Sequence, residues 1–121
     1  MIDHVTLDVS DVQRSVEFYE QALAPLGYEV VLRLDGGFHL LGPAGRPRLG
    51  LRPGDPPGRA HIAFESPDRA TVDAFYHAAI AAGGRDNGGP GLREHYHPTY
   101  YSSFALDPDG NNIEAVIHVA E

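Results

Sequence analysis

Residues 3–27, DHVTLDVSDVQRSVEFYEQALAPLG, decide the fold, because they recur after a shift of 57 positions as residues 60–84, AHIAFESPDRATVDAFYHAAIAAGG. Seven of the 25 positions are identical without a gap, and they include His4 with His61. A repeat constrains architecture more strongly than local propensity does, since both copies must adopt one supersecondary unit. The chain is therefore expected to contain two similar modules.

Each copy has the pattern of a strand followed by a helix. Residues 2–9 and 60–65 alternate apolar and other side chains at the two-residue period of a half-buried strand. Residues 11–24 and 67–82 follow, and they start at Ser10-Asp11 and at Ser66-Pro67-Asp68, where a Ser cap and a first-turn Pro are favoured. The two stretches are predicted to be helices that pack on their own strands.

Glycines and turns mark the rest of each copy. Gly27 and Gly84 are expected to end the helices in the left-handed conformation. Residues 42–45 (GPAG) and 107–110 (DPDG) match each other and suit a type I turn. Because the shift between these turns is 65, the second copy has about eight extra residues. We assign them to the Gly- and His-rich loop 83–99.

The predicted fold is α+β, with two βαβββ modules in a single domain over residues 1–121. Module 1 covers about residues 1–52 and module 2 about residues 59–121. Residues 53–58 (PGDPPG) separate them as a turn-forming linker.

Composition excludes several classes of function. The chain has no cysteine, so disulfides, thiolate zinc sites and iron–sulfur clusters are excluded. Its net charge is −8, and its nine basic residues are scattered arginines, so neither nucleic acid nor an anionic membrane is an expected partner. The absence of lysine excludes a Schiff base. With neither a signal-like nor an anchor-like segment, the expected location is cytoplasmic.

The strand alternation gives His4, His61 and Glu114 a common direction, away from the helices. Repeat symmetry is expected to bring the two histidines close together about a pseudo-twofold axis. Two imidazoles and one carboxylate suit Fe²⁺, Mn²⁺, Zn²⁺, Ni²⁺ or Co²⁺ and leave positions open for water and substrate. The sequence therefore predicts an open divalent-metal site, whereas a single strand histidine is usually a surface residue.

Three stretches resemble the vicinal oxygen chelate superfamily: residues 2–5 (IDHV), 60–64 (AHIAF) and 107–114 (DPDGNNIE). That family includes glyoxalase I, methylmalonyl-CoA epimerase, fosfomycin-resistance transferases, extradiol dioxygenases and bleomycin-binding proteins. The resemblance covers essentially the whole chain. It implies a cupped mixed sheet around a metal held by the three residues named above. It also implies a homodimer, in which modules pair either within a chain or between chains.

Departures of this sequence from the patterns of individual family members limit the choice among the reactions of the family. Counting 65 residues back from Glu114 gives Leu49, where the resemblance to glyoxalase I would require a fourth ligand, so Leu49 and Leu51 are expected to form an apolar wall. Phe104 stands where extradiol dioxygenases have a tyrosine, while His95 matches a histidine beside their metal. The acidic, lysine-free chain is least similar to the fosfomycin enzymes, which need a cationic site.

Residues 94–101 (EHYHPTYY) concentrate proton-transfer groups in front of the strand that carries Phe104. His95 and His97 are candidate general acids or bases, and Tyr100 or Tyr101 is a candidate donor to an oxyanion. The alternative is an exposed loop whose tyrosines pack at a dimer edge. Strand phase does not choose between the two tyrosines.

Two functions follow from these residues. The first is a divalent-metal-dependent enzyme with dioxygenase-like, lyase or isomerase chemistry on a small oxygenated substrate chelated to the metal. The second is a metal-free small-molecule or antibiotic-binding protein that resembles the bleomycin-resistance proteins. In either case the expected ligand contacts are Leu49, Leu51, Phe104 and His118.

Overall fold

The structure is a computed structural model that describes residues 1–121, with two helices and eight strands in the order expected from the repeat. Module 1 contains β1 (Val5–Val9), α1 (Val12–Ala22), β2 (Tyr28–Leu34), β3 (Phe38–Pro43) and β4 (Leu49–Pro53). Module 2 contains β5 (His61–Glu65), α2 (Arg69–Ala81), β6 (Arg85–Leu92), β7 (Tyr101–Leu106) and β8 (Asn112–Ile117). The α+β fold of two βαβββ modules is confirmed.

Each module forms its own four-stranded mixed sheet. The orders are β1-β4-β3-β2 and β5-β8-β7-β6, so the first strand of each module lies at a sheet edge. The pairs β1/β4 and β5/β8 are parallel, and all other pairs are antiparallel. Neither helix has the length and apolar character needed to cross a membrane.

The helices begin at equivalent caps. The Asp11 carboxylate accepts a hydrogen bond from Arg14 N, and the Asp68 carboxylate accepts one from Thr71 N. Gly27 has the expected left-handed backbone, with φ of 81°, but in module 2 this conformation belongs to Gly83 and not to Gly84. Gly84 has another role, because a Cβ there would lie 2.8 Å from the Phe18 ring of α1.

The prediction of a loop over residues 83–99 is wrong for about half of these residues, because residues 85–92 form strand β6. Glycine and proline are depleted in strands, which is why this stretch reads as a loop. Pairing with β7 overrides that preference, and the register shifts twice along the pair. The extra residues of module 2 therefore lie between β6 and β7, at residues 93–100, where module 1 has only residues 35–37.

One hydrophobic core of 18 buried residues joins the two modules. Each helix packs on its own sheet, and α1 packs against α2. The buried Tyr19 of α1 donates a hydrogen bond from its hydroxyl to Asp107, which lies between β7 and β8. The modules therefore share an interior and do not fold as two separate bodies.

The contact between Tyr28 and Phe64 shows how the sheets are arranged. Tyr28 begins β2, three strands away from β1, and Phe64 lies on β5. If β5 continued the sheet beside β1, these strands would be about 19 Å apart at the usual strand spacing. Their ring centroids are 5.5 Å apart. β5 therefore does not extend the sheet of module 1, and we call the surface of each sheet that points away from its own helix its open face.

Candidate functional site

The open face of module 2 carries a buried carboxylate next to a histidine. Ala63 of β5 pairs with Glu114 of β8, so strand alternation turns Glu114 to the same side as His61. The imidazole donates from Nε2 to Glu114 Oε1 over 2.9 Å. Glu114 is only 2% exposed, whereas the His61 side chain is 51% exposed. The predicted common direction of these two residues is therefore present.

The loop of residues 93–100 covers the carboxylate. Arg93 N donates to Tyr100 O over 2.7 Å, which closes the base of the loop. The Tyr100 hydroxyl donates to Glu114 Oε2 over 2.5 Å. Burial, and then the hydrogen bond and charge of Glu114, raise the pKa of Tyr100 well above its usual value. The phenol therefore keeps its proton at neutral pH and remains a donor.

A cavity of about 430 Å³ lies between this loop and the sheet. His61 stacks over Phe104, with ring centroids 6.2 Å apart and an interplanar angle of 29°. The other wall is aromatic, since Tyr96 contacts Tyr100 edge-on at 4.8 Å between centroids. The cavity thus combines apolar ring faces with a few polar groups, as small-molecule sites do.

Two histidines fasten the loop to the end of β8. His97 Nε2 lies 2.7 Å from His118 Nδ1, and the rings stack at 25°. Thr99 donates from its hydroxyl to the His118 carbonyl oxygen. His97 lines the cavity, whereas His95 does not line it and packs on Tyr96. His118 is placed to position the loop and does not line the cavity.

The structure distinguishes the two candidate tyrosines. Tyr101 faces the helix, where its hydroxyl donates to Asp73 Oδ1 over 2.7 Å and Arg69 lies over its ring. That hydrogen bond, together with burial, raises the pKa of Tyr101. Tyr101 is therefore not brought to the cavity, and Tyr100 is.

His4 is not brought into a ligand group with His61 and Glu114. It precedes β1, and its Nδ1 lies 2.9 Å from Asp3 Oδ2. His4 and His61 both border a second cavity, of about 480 Å³, at the junction of the modules. No group of three or more His, Asp or Glu side chains is close enough together to hold a metal. The three predicted ligands are therefore not assembled into one group within the chain, although His4 and His61 border the same cavity.

The residue symmetric with Glu114 is Gly50 and not Leu49. Leu40 pairs with Gly50 as Phe104 pairs with Glu114, which fixes the structural shift at 64 residues. The expected shift of 65 came from matching the two prolines, but the first turn begins one residue later than expected, with Arg46 N donating to Pro43 O.

The apolar wall expected from Leu49 and Leu51 is not on the open face. Both side chains point to the helices and belong to the core, with exposures of 1% and 0%. A Cβ on Gly50, between them, would lie 2.7 Å from Thr6 Oγ1 and 2.8 Å from the Phe38 ring. The position opposite a ligand in module 2 is therefore filled by neighbouring side chains in module 1.

Asn112 and Tyr96 also line the cavity, although neither was among the predicted site residues. Asn112 lies two residues before Glu114 on β8, so strand alternation alone was sufficient to place it. Tyr96 depends on the path of the loop, for which the sequence has no periodic signal.

Comparisons with known proteins agree with this fold. A sequence model described as the Glyoxalase/Bleomycin resistance protein/Dioxygenase superfamily matches residues 1–115. A glyoxalase/bleomycin resistance protein from Albidiferax ferrireducens T118 is 26% identical, with a TM-score of 0.81 over 96% of this chain and 97% of that one. A search of curated proteins finds no match.

Two further solved structures extend the comparison. A glyoxalase/bleomycin resistance protein/dioxygenase family enzyme from Burkholderia phytofirmans PsJN is 21% identical, with a TM-score of 0.75 over 97% of this chain and 98% of that one. The E144Q glyoxalase I mutant from Zea mays is 25% identical, with a TM-score of 0.70. The match covers 93% of this chain and 45% of the maize chain.

Proposed function

Since the chain belongs to the Glyoxalase/Bleomycin resistance protein/Dioxygenase superfamily, we propose that it is a divalent-metal-dependent enzyme. Its substrate is a small oxygenated molecule that chelates the metal, and its chemistry is dioxygenase-like, lyase or isomerase chemistry. The observation that carries the proposal is the convergence of His61 Nε2 and Glu114 Oε1, 2.9 Å apart, beside a cavity of about 430 Å³.

The donor set fits a borderline metal. A neutral imidazole and a carboxylate are ligands for Fe²⁺, Mn²⁺, Zn²⁺, Ni²⁺ and Co²⁺, and Glu114 is buried without an arginine partner. His61 and Glu114 would hold the ion, with His4 as the third ligand. When bound, the metal supplies Lewis acidity or a redox centre for the chelated substrate oxygens.

The surrounding side chains have separate tasks. Tyr100 donates to Glu114 Oε2 and orients the carboxylate, as the outer hydrogen bonds of metal ligands do. The ring of Phe104 and the ring of Tyr96 exclude water from the substrate body. His97 lines the same cavity, and an imidazole can hold or move a proton, so it is the proposed general acid or base.

The third ligand is proposed to come from a second copy of the chain. Within one chain, His4 does not form a ligand group with His61 and Glu114. In a twofold dimer, the open face of module 1 from one copy can cover that of module 2 from the other, which creates two equivalent sites. The exposed Ile2 and Val5 then become interface residues.

Metal analysis tests the proposal. Wild-type protein stripped of metal and reloaded with each of the five ions is expected to retain one ion per site after dialysis. His61→Ala should lose at least about 100-fold in affinity, because a ligand matters more than its outer partners, whose loss costs about 10–100-fold. His77→Ala, on the exposed side of α2, is the matched control and should bind as wild type does. Equal retention by wild type and His61→Ala would refute metal binding at this site.

One observation favours the metal-free binding protein as a rival. Both oxygens of Glu114 already have donors, His61 and Tyr100, so the carboxylate is satisfied without an ion. If neither the wild type nor His61→Ala retains any of the five ions, while the wild type still binds small molecules, this rival replaces the enzyme.

A further inference from the structure

Arg93 is held in place beside the proposed site although nothing in the proposed chemistry uses it. Its backbone closes the base of the loop by donating to Tyr100 O. Its side chain folds back over the sheet, with the guanidinium carbon 5.5 Å from the centroid of the Phe104 ring. Its Nη2 donates to Gly89 O over 2.6 Å. The guanidinium is therefore positioned from two sides.

The glycines of β6 leave room for this side chain. A Cβ on Gly91 would lie 3.0 Å from Arg93 Nη1, and one on Gly88 would lie 3.3 Å from Arg93 Nη2. Gly88 also has φ of 141°, which a residue with a side chain rarely adopts. The unusual composition of β6 thus has a structural explanation: its missing side chains make the space in which the guanidinium lies.

Arg93 has no acidic partner in the chain. The ion pairs of the structure involve Arg48, Arg52, His4 and His61, and none involves Arg93. A guanidinium is always charged, and a half-buried charge is stabilised by an opposite charge. The free edge of Arg93 is therefore suited to an anionic group from a ligand.

A cavity of about 320 Å³ lies at this guanidinium, and it is continuous in its lining with the cavity over Glu114. The two cavities share Tyr96, Phe104 and Asn112. The smaller one adds Asn87, whose side-chain amide donates to Asn112 Oδ1 over 3.0 Å. A planar ligand lying on Phe104 would reach both cavities at once.

We propose that Arg93 binds a carboxylate of the ligand, and that the ligand is a small planar acid whose oxygenated end lies at His61 and Glu114. The assignment of the reacting end depends on the proposed function, whereas the carboxylate subsite does not. A guanidinium that packs on an aromatic ring presents its N–H groups at its edge, which matches a planar carboxylate. His95, which lines the smaller cavity, adds a further donor.

The test uses benzoate as a probe and benzamide as its neutral match, titrated into metal-free wild-type protein and followed by NMR. Benzoate is expected to shift the Arg93 Nε–H and the amides of Gly88 and Gly91, and to bind at least about tenfold more tightly than benzamide. Arg93→Gln should reduce benzoate affinity about tenfold and leave benzamide unaffected. Arg93→Lys should keep only part of the wild-type benzoate affinity, because lysine lacks the planar guanidinium that binds a carboxylate through two N–H groups.

Arg14→Gln is the matched control, since Arg14 is an exposed arginine of α1 without an ion pair. It should bind benzoate as wild type does. Equal binding of benzoate and benzamide, or an unchanged benzoate affinity in Arg93→Gln, would overturn the subsite. Inorganic phosphate binding more tightly than benzoate would overturn its assignment to a carboxylate.

Metal retention by Arg93→Gln separates this inference from the proposed function. Arg93 is not a metal ligand, so the variant should retain ions as wild type does. A wild type that binds benzoate through Arg93 but retains no metal would leave the subsite standing and remove the metal enzyme. A wild type that retains metal through His61 but binds benzoate and benzamide equally would leave the metal enzyme standing and remove the carboxylate subsite.

Discussion

The two open faces derive from the same repeat and have diverged in what they can bind. In module 2, the position on β8 next to Phe104 carries Glu114, and a loop of eight residues covers it. In module 1, the equivalent position on β4 next to Leu40 is Gly50, and only residues 35–37 connect β2 to β3. The comparison teaches that one copy of the repeat carries the buried carboxylate and the cavity over it, while in the other copy the equivalent position is a glycine crowded by Thr6 and Phe38.

The close packing around Gly50 on the open face of module 1 can be tested by adding a single methyl group there. Gly50→Ala would place its Cβ within 2.8 Å of both Thr6 Oγ1 and the Phe38 ring. Overpacking of this kind costs about 1–3 kcal/mol, so we expect the free energy of unfolding in urea to fall by about 2 kcal/mol. Gly58→Ala is the control, because the nearest atom to its Cβ would be 3.8 Å away. Equal stability of both variants would show that this face is not closely packed.

Tyr19 on α1 and Tyr76 on α2 occupy equivalent positions of the repeat, and they allow the two helices to be compared. Tyr19 is 0% exposed and donates to the buried Asp107, whereas Tyr76 donates to the exposed Asp86. Tyr19→Phe should therefore lower the free energy of unfolding by about 1–2 kcal/mol, and Tyr76→Phe by less than about 0.5 kcal/mol. A larger loss in Tyr76→Phe would contradict the assignment of the inter-module contact.

The same pair predicts a pH dependence. Burial, then the charge and hydrogen bond of Asp107, raise the pKa of Tyr19 well above its usual value of 10.0. The folded protein therefore keeps a proton that the unfolded chain loses above pH 10, so this contribution to stability is present below pH 10 and declines as the pH rises beyond it. Urea unfolding at a series of alkaline pH values should show the wild type losing its advantage over Tyr19→Phe. A constant difference would argue against a buried, protonated Tyr19.

The loop exists only in module 2, and its fastening can be weakened on its own. His118→Ala removes the side-chain partner of His97 at the exposed end of β8. Because an exposed hydrogen bond contributes little, global stability should change by less than about 1 kcal/mol. Amide exchange in residues 94–99 should nevertheless become faster, since local opening is controlled by such contacts. Unchanged exchange would mean that the contacts of Tyr100 and Thr99, which the variant keeps, are sufficient to hold the loop.

Strand phase made part of the site predictable from sequence. The two-residue period put His61 and Glu114 on one face, and it also placed Asn112 there. It could not choose between Tyr100 and Tyr101, because the phase of β7 is lost across a loop of unknown length. The structure places only Tyr100 at Glu114, and Tyr101 lies at Asp73 on the helix side.

The symmetry mate of Glu114 was predicted wrongly for a physical reason. The two turns share a proline, but Ala44 and Gly45 both have positive φ, of 51° and 72°. This backbone belongs to a primed turn, which starts at Pro43 and differs from the type I turn assumed. Aligning the prolines therefore moved the register by one residue, which exchanges the two faces of a strand.

The internal repeat did not predict how the two modules pack against each other. Two amphipathic helices can bury their apolar faces against each other with either pairing of the sheets, so periodicity is satisfied both ways. The contact of Tyr28 with Phe64 distinguishes them, because it shows that β5 does not extend the sheet of module 1. In this arrangement His4, His61 and Glu114 do not form one ligand group within the chain.

Subunit mixing tests most directly whether a second copy completes the site. His4→Ala and Glu114→Ala should each fail to retain metal as homodimers, but random exchange of the two variants should restore about a quarter of the sites, because half of the dimers are mixed and one of their two sites is intact. Mixing His61→Ala with Glu114→Ala is the control and should restore none, since both residues belong to module 2. Restoration of about a quarter in the first mixture alone is the predicted result. No restoration there, with metal retained by the wild type, would contradict a site shared between two copies.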